Sequence, residues 1–94
     1  MAFMVAHFEI EDYDAWKRRF ESDPVGRRQA AIGHVISRSI DNPKDVFLKI
    51  EFGSVDEAKV FLERLLTTPT PEAQEGMTLK LPPTIIEVTD EATY

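Results

Sequence analysis

Residues 41–57, DNPKDVFLKIEFGSVDE, carry the reading that decides the fold. Asp41-Asn42-Pro43-Lys44-Asp45 is a turn, because Asx side chains hydrogen-bond nearby backbone and proline presets its own φ. Val46 to Phe52 then alternates. Val46, Leu48, Ile50 and Phe52 fall on one face, and Phe47, Lys49 and Glu51 on the other, the period of a half-buried strand. After Gly53, Ser54-Val55-Asp56-Glu57 forms a capping box, with serine at the N-cap and glutamate at N3.

Working upstream, His34 to Ile40 is the second strand, joined to Val46–Phe52 by so short a turn that the two must form an antiparallel hairpin. Val25 to Ile32 reads as a short helical stretch with Gly33 as its C-terminal stop. Before it, Asp23-Pro24 ends a helix opened by Glu11-Asp12-Tyr13-Asp14, with Asp12 as N-cap and acidic groups at the positive end of the dipole. Tyr13, Trp16 and Phe20 share one side of that helix. Phe3 to Ile10 is the first strand. Its face Met4, Ala6, Phe8 and Ile10 is wholly apolar, whereas Phe3, Val5, His7 and Glu9 turn polar halfway along.

Downstream, the capped helix buries Val55, Ala58, Phe61 or Leu62, and Leu65 at helical spacing, and Thr68-Pro69-Thr70-Pro71 breaks it. A short helix from Pro71 to Glu75, capped by Thr70, precedes Gly76. Leu81-Pro82-Pro83 is extended and Thr84 to Thr89 is the last strand. Asp90 to Tyr94 is a loose tail or an arm on a partner. The order strand, helix, strand, strand, helix, strand predicts an α+β, ferredoxin-like protomer over residues 1–94 as one domain. Two right-handed crossovers give one antiparallel sheet with both helices on a single face.

Bulk properties narrow the function classes. The 94 residues are 43% hydrophobic and 30% charged, as in a globular protein. A net charge of −6 repels a phosphate backbone. The basic groups Lys17-Arg18-Arg19 and Arg27-Arg28 are interspersed with acids, so nucleic acid is not an expected partner. Without cysteine there is no disulfide, thiolate metal site or thiol nucleophile, which is compatible with a cytoplasmic protein. No secretory signal or membrane span is visible.

Helices on one side leave the other sheet face uncovered. It carries Val5, His7, Glu9, Phe47, Lys49 and Glu51, joined by Val35, Ser37 and Ser39 or, in the other parity of that strand, by the mixed row Ile36, Arg38 and Ile40, and by either Ile85 and Glu87 or Ile86 and Val88. Such a face is too apolar for a solvated surface and too charged for a dry core. Two copies packed through it form a homodimer that encloses a small polar-lined cavity.

Here the chain resembles a known group. The run His7-Phe8-Glu9-Ile10-Glu11-Asp12-Tyr13-Asp14-Ala15-Trp16-Lys17, with Phe20, Arg28, Gly33, Asp41-Asn42-Pro43, Glu51-Phe52 and Ala58, is similar to dimeric α/β-barrel proteins related to antibiotic biosynthesis monooxygenases. The resemblance implies the ferredoxin-like protomer and a barrel across a dimer interface. Monooxygenases of this kind oxidise polycyclic phenols with no metal or flavin, so no cofactor is implied. They use pocket asparagine, tryptophan or tyrosine. Here Asn42 falls in a hairpin turn and Trp16 on a helix. Met77-Thr78-Leu79-Lys80-Leu81-Pro82-Pro83 departs from the usual Met-x-x-Ala-Gly-Val ending.

The candidate catalytic residues are His7 and Glu9, two apart on one strand face, since a histidine beside a carboxylate is suited to general base catalysis. Val5, Phe47, Lys49, Glu51 and Ser37 are the candidate ligand-binding residues. The plainer readings are a hydrogen-bonded structural histidine and a cross-strand ion-pair network of Lys49 with Glu51. No metal site is expected, because only His7 and His34 are available where a catalytic zinc or iron site usually has three protein ligands, a number that His7, Glu9 and Glu51 or Glu87 would reach only in principle. Tyr13 and Trp16 are core residues, and Arg27-Arg28 a solvated loop or a salt bridge to the acidic helix start. Two functions follow. One is a cofactor-independent monooxygenase-like enzyme acting on a small aromatic or polyketide-type compound, the other a non-catalytic ligand-binding or assembly module.

Overall fold

The computed structural model describes residues 2–23, 26–67 and 76–94. Strand β1 (Ala2–Ile10) leads to helix α1 (Tyr13–Glu21), the single turn α2 (Arg27–Ala30), and the hairpin β2 (Gly33–Arg38) and β3 (Asp45–Phe52). Helix α3 (Val55–Thr67) and strand β4 (Met77–Glu87) follow. The sheet is antiparallel throughout, in the order β2-β3-β1-β4. This is the ferredoxin-like α+β arrangement.

Capping accounts for where the helices begin. The Asp12 carboxylate accepts from the Ala15 amide at 3.1 Å, and Ser54 Oγ from the Glu57 amide at 3.2 Å, each satisfying a donor with no partner inside its helix. The hairpin turn is an Asx turn. Asn42 Oδ1 accepts from the Lys44 amide at 3.2 Å, and the Asn42 carbonyl from the Asp45 amide at 2.9 Å.

One sheet face is covered as its alternation dictates. Ala2, Met4, Ala6, Phe8 and Ile10 of β1 are buried, with Val46, Ile50 and Phe52 of β3. Met4, Ile50 and Phe52 pack with Ala58 and Phe61 of α3. Phe8, Ile10 and Val46 pack with Trp16 of α1, flanked by Tyr13 and Phe20. Trp16 is 4% exposed, so the aromatic trio is core.

Four expectations need correction. Gly33 does not stop a helix. It opens β2 opposite Glu51, while Ala31 is the extended C-cap of α2, and the left-handed glycine of this segment is Gly26, at φ 76. The last strand starts at Met77 rather than Thr84, and Val88 lies beyond it. Arg27 is neither solvated nor paired with the acids that open α1: it is 6% exposed, donates to the Phe20 carbonyl at 2.9 Å, and lies 3.7 Å over the Phe20 ring. Lys49 Nζ sits 4.2 Å over the Phe3 ring instead of on Glu51. The helix expected from Pro71 to Glu75, and the breaks at Pro24 and Thr68–Pro71, lie outside the described residues. No helix among those described is long and apolar enough to cross a membrane.

Candidate active site on the open sheet face

Register resolves which residues share the uncovered face. Each pair of strands places its partners side by side, so the face is built in cross-sheet rows. Ser37, Phe47, His7 and Leu81 form one row. Val35, Lys49, Val5 and Thr84 form the next, and Gly33, Glu51, Phe3 and Ile86 the third. Beyond His7, at the hairpin end, Glu9 stands opposite Asp45 on one side and Thr78 on the other. The open choices of parity are thereby closed. Val35 and Ser37 belong to this face while Ile36 packs toward the helices, and Ile86 belongs to it while Ile85 and Glu87 pair with Met4 and Ala2.

His7 and Glu9 are therefore brought together with Phe47 and Ser37. Val5, Lys49 and Glu51 lie progressively toward the other end. Glu51 is four residues from Phe47 along β3, roughly 13 Å at 3.3 Å per residue. Neither Glu51 nor Glu87 can reach His7 and Glu9, and no group of three or more His, Asp or Glu among the described residues is placed to hold a metal ion.

The His7 ring is stacked on Phe47, with centroids 4.1 Å apart and planes 13° off parallel. Its Nε2 stands 3.3 Å from Asp45 Oδ1. Because a carboxylate only accepts, Nε2 carries the proton in this pair, and in the neutral ring the lone pair is then on Nδ1. Lys80 Nζ reaches the same Asp45 oxygen at 2.8 Å and Glu9 Oε2 at 3.5 Å. The Asn42 amide donates to the other Asp45 oxygen at 3.4 Å. The hydrogen bond from Lys80, then that from His7, holds the Asp45 carboxyl below its ordinary value. In return Asp45, with Glu9 behind it, holds the Lys80 ammonium above its own.

Asp45, Lys80 and the Asn42 amide are the site residues that sequence reasoning missed. Asp45 counted as the end of a turn, yet as the first residue of β3 it stands opposite Glu9. Lys80 sits where β4 pairs irregularly. Pro82 and Pro83 lack an N–H for the ladder, and between Thr84 and Leu81 the strand carries one residue more than β1 does between Val5 and His7. A second extra residue, Lys80 itself, falls between Leu81 opposite His7 and Leu79 opposite Phe8. The departure of Met77–Pro83 from the family ending was the available signal.

No protein-family model matches the chain, and no curated protein matches it. Solved structures do. SnoaB, a cofactor-independent oxygenase from Streptomyces nogalater, superposes with TM-score 0.66 at 11% identity, covering 96% of this chain and 94% of that one. A candidate antibiotic biosynthesis monooxygenase from Deinococcus radiodurans superposes with TM-score 0.60 at 10% identity, covering 100% and 98%. A further antibiotic biosynthesis monooxygenase structure gives TM-score 0.59 at 9% identity, covering 98% and 100%. The chain shares its ferredoxin-like fold with these structures over nearly its whole length, despite the low identity.

Proposed function

We propose that the protein is a cofactor-independent monooxygenase-like enzyme that converts a small polycyclic phenol to a quinone, with His7 as general base. One observation carries the reading: a histidine stacked on an aromatic side chain of an open sheet face, with one ring nitrogen tied to a carboxylate and the other available. Phe47, at 45% exposed, and Leu81, at 42%, flank His7 in its row and suit a flat aromatic ligand. Glu9 and Ser37 supply polar groups that orient it.

The chemistry balances without a further reductant. Nδ1 of His7 takes the phenolic proton, and the electron-rich phenolate gives electrons to dioxygen. A C–O bond forms at the ring carbon para to the oxygen, the C–H there is lost, and the second oxygen atom leaves as water. Phenol plus O2 gives quinone plus water.

The cavity for this reaction is closed by a second copy. Val35, Phe47, Leu81 and Ile86 leave apolar surface, 41–58% exposed, on one face of the protomer, and packing two such faces would remove it from water. Oxygen uptake with 1-naphthol and larger polycyclic phenols, followed with quinone absorbance, tests the reading. Expected are turnover by the wild type and at least a hundredfold loss in folded His7→Ala. Saturable binding of these phenols without oxygen uptake overturns it in favour of a non-catalytic binding module.

A further inference from the structure

Asp45 Oδ1 is shared. It stands 2.8 Å from Lys80 Nζ and 3.3 Å from His7 Nε2, so the lysine is the nearer partner. Lys80 comes from the opposite edge of the sheet, across β1, and reaches Asp45 of β3 from the irregular part of β4. Without cross-links a carboxylate at a strand start beside a turn is free to rotate away from an imidazole. Here its Oδ1 is held by the lysine and its Oδ2 is met by the Asn42 amide at 3.4 Å.

We infer that Lys80 is a positioning residue, whose ammonium pins the Asp45 carboxylate so that Asp45 holds Nε2 of His7 and leaves Nδ1 as the ring nitrogen that meets the ligand. The inference rests on His7 being the base of the proposed reaction. The charged groups facing His7 are then Glu9 on its own strand, Asp45 on β3 and Lys80 on β4. With His7 neutral their formal charges sum to −1, from two carboxylates and one ammonium. Lys80 thus offsets the charge of one of the two carboxylates beside the imidazole. Lys80 is itself one of the two extra residues of β4, so the irregular pairing is what brings an ammonium to this side of the sheet.

The test reads the clamp separately from turnover. Side-chain NMR of Asp45 and of the His7 ring nitrogens is compared in wild type, Lys80→Met and Lys80→Arg, each checked for folding by its thermal transition. In the wild type Asp45 titrates below the ordinary carboxylate range. Lys80→Met should move that midpoint up and displace the His7 Nε2 resonance, and Lys80→Arg should restore both. An Asp45 midpoint and a His7 resonance unmoved by Lys80→Met overturn the clamp. On a phenol that the wild type oxidises, Lys80→Met should lower kcat about 10–100-fold, the usual cost of a lost supporting partner, with KM within about twofold. An unchanged kcat overturns the positioning role. A clamp seen by NMR in a wild type that oxidises no phenol fails the oxygenase reading and leaves the carboxylate arrangement standing.

Discussion

The two faces of the sheet obey different rules, and the two histidines show it. His34 stands on the helix side, edge-on to Phe20 with centroids 5.1 Å apart, near Arg27, Lys17 and Arg28. The residue is exposed, and partial desolvation first, then these cations, hold its pKa below the ordinary histidine value. His7 stands on the open side, stacked on an exposed phenylalanine and tied to a carboxylate. On the helix side the neighbouring cations disfavour a further positive charge on the His34 ring. On the open face carboxylates and an ammonium are gathered where apolar surface is still uncovered. A sheet whose covered face already supplies the core leaves its other face free for chemistry.

Core substitution should expose the contrast most strongly. Phe52 is fully buried, its ring 5.4 Å from that of Phe61. Phe52→Ala should cost about 3–5 kcal/mol in chemical denaturation. The equivalent Phe47→Ala in β3 should cost the protomer much less, since Phe47 is half-exposed and its loss is chiefly that of the His7 stack, about 0.5–1.5 kcal/mol. Equal losses would break the division into a structural and a functional face.

If the open face meets a second copy, a charge placed in its middle separates the two roles. Val35→Glu should lower the mass seen by light scattering from about twice 10.7 kDa to the single-chain value while the helix signal persists. A mass unchanged by Val35→Glu would remove this face from any interface.

The N-cap of α1 belongs to the covered side but touches no core. Asp12→Ala should destabilise by about 1 kcal/mol in the same denaturation experiment. It should leave the His7 and Asp45 resonances where they are.

The smallest effect is a pH dependence that tells the histidines apart. His34 has a lowered folded pKa, so the unfolded chain binds its proton more readily and the native state is favoured by the neutral ring. That contribution is fully present above the unfolded value near 6.5 and is lost as pH falls from there toward the lower folded value. His34→Gln should flatten stability across that interval. Asp45 behaves alike in a lower window: its contribution is present above the ordinary carboxylate value and lost as pH falls through the lowered folded one, so Lys80→Met should flatten that limb.

Much of this was legible because it is local. The alternation in Val46–Phe52, the Asx turn at Asn42 and the caps Asp12 and Ser54 each depend on residues a few positions apart, and each appears as expected. Ser37 waited on the register of β2, whereas His7, Glu9 and Phe47 could be placed on one face from strand period alone. Their partners could not. Lys80 and Asp45 are 35 positions apart, and only an irregular pairing in β4 brings the lysine onto that face. Lys49 was assigned to Glu51 because they are two apart on one strand face; the fold offers Lys49 the Phe3 ring on the neighbouring strand.

The sequence by itself determined the strand order, the helix starts and the apolar stripe that one face must bury, since hydrophobic period and capping are properties of neighbouring residues. The tertiary structure alone decided the parity of β2 and β4, the capture of Arg27 on Phe20, and the convergence of Lys80, Asp45 and His7. Those depend on register and on the two irregularities in β4, and a one-residue slip in register turns a side chain to the opposite face without changing the sequence pattern.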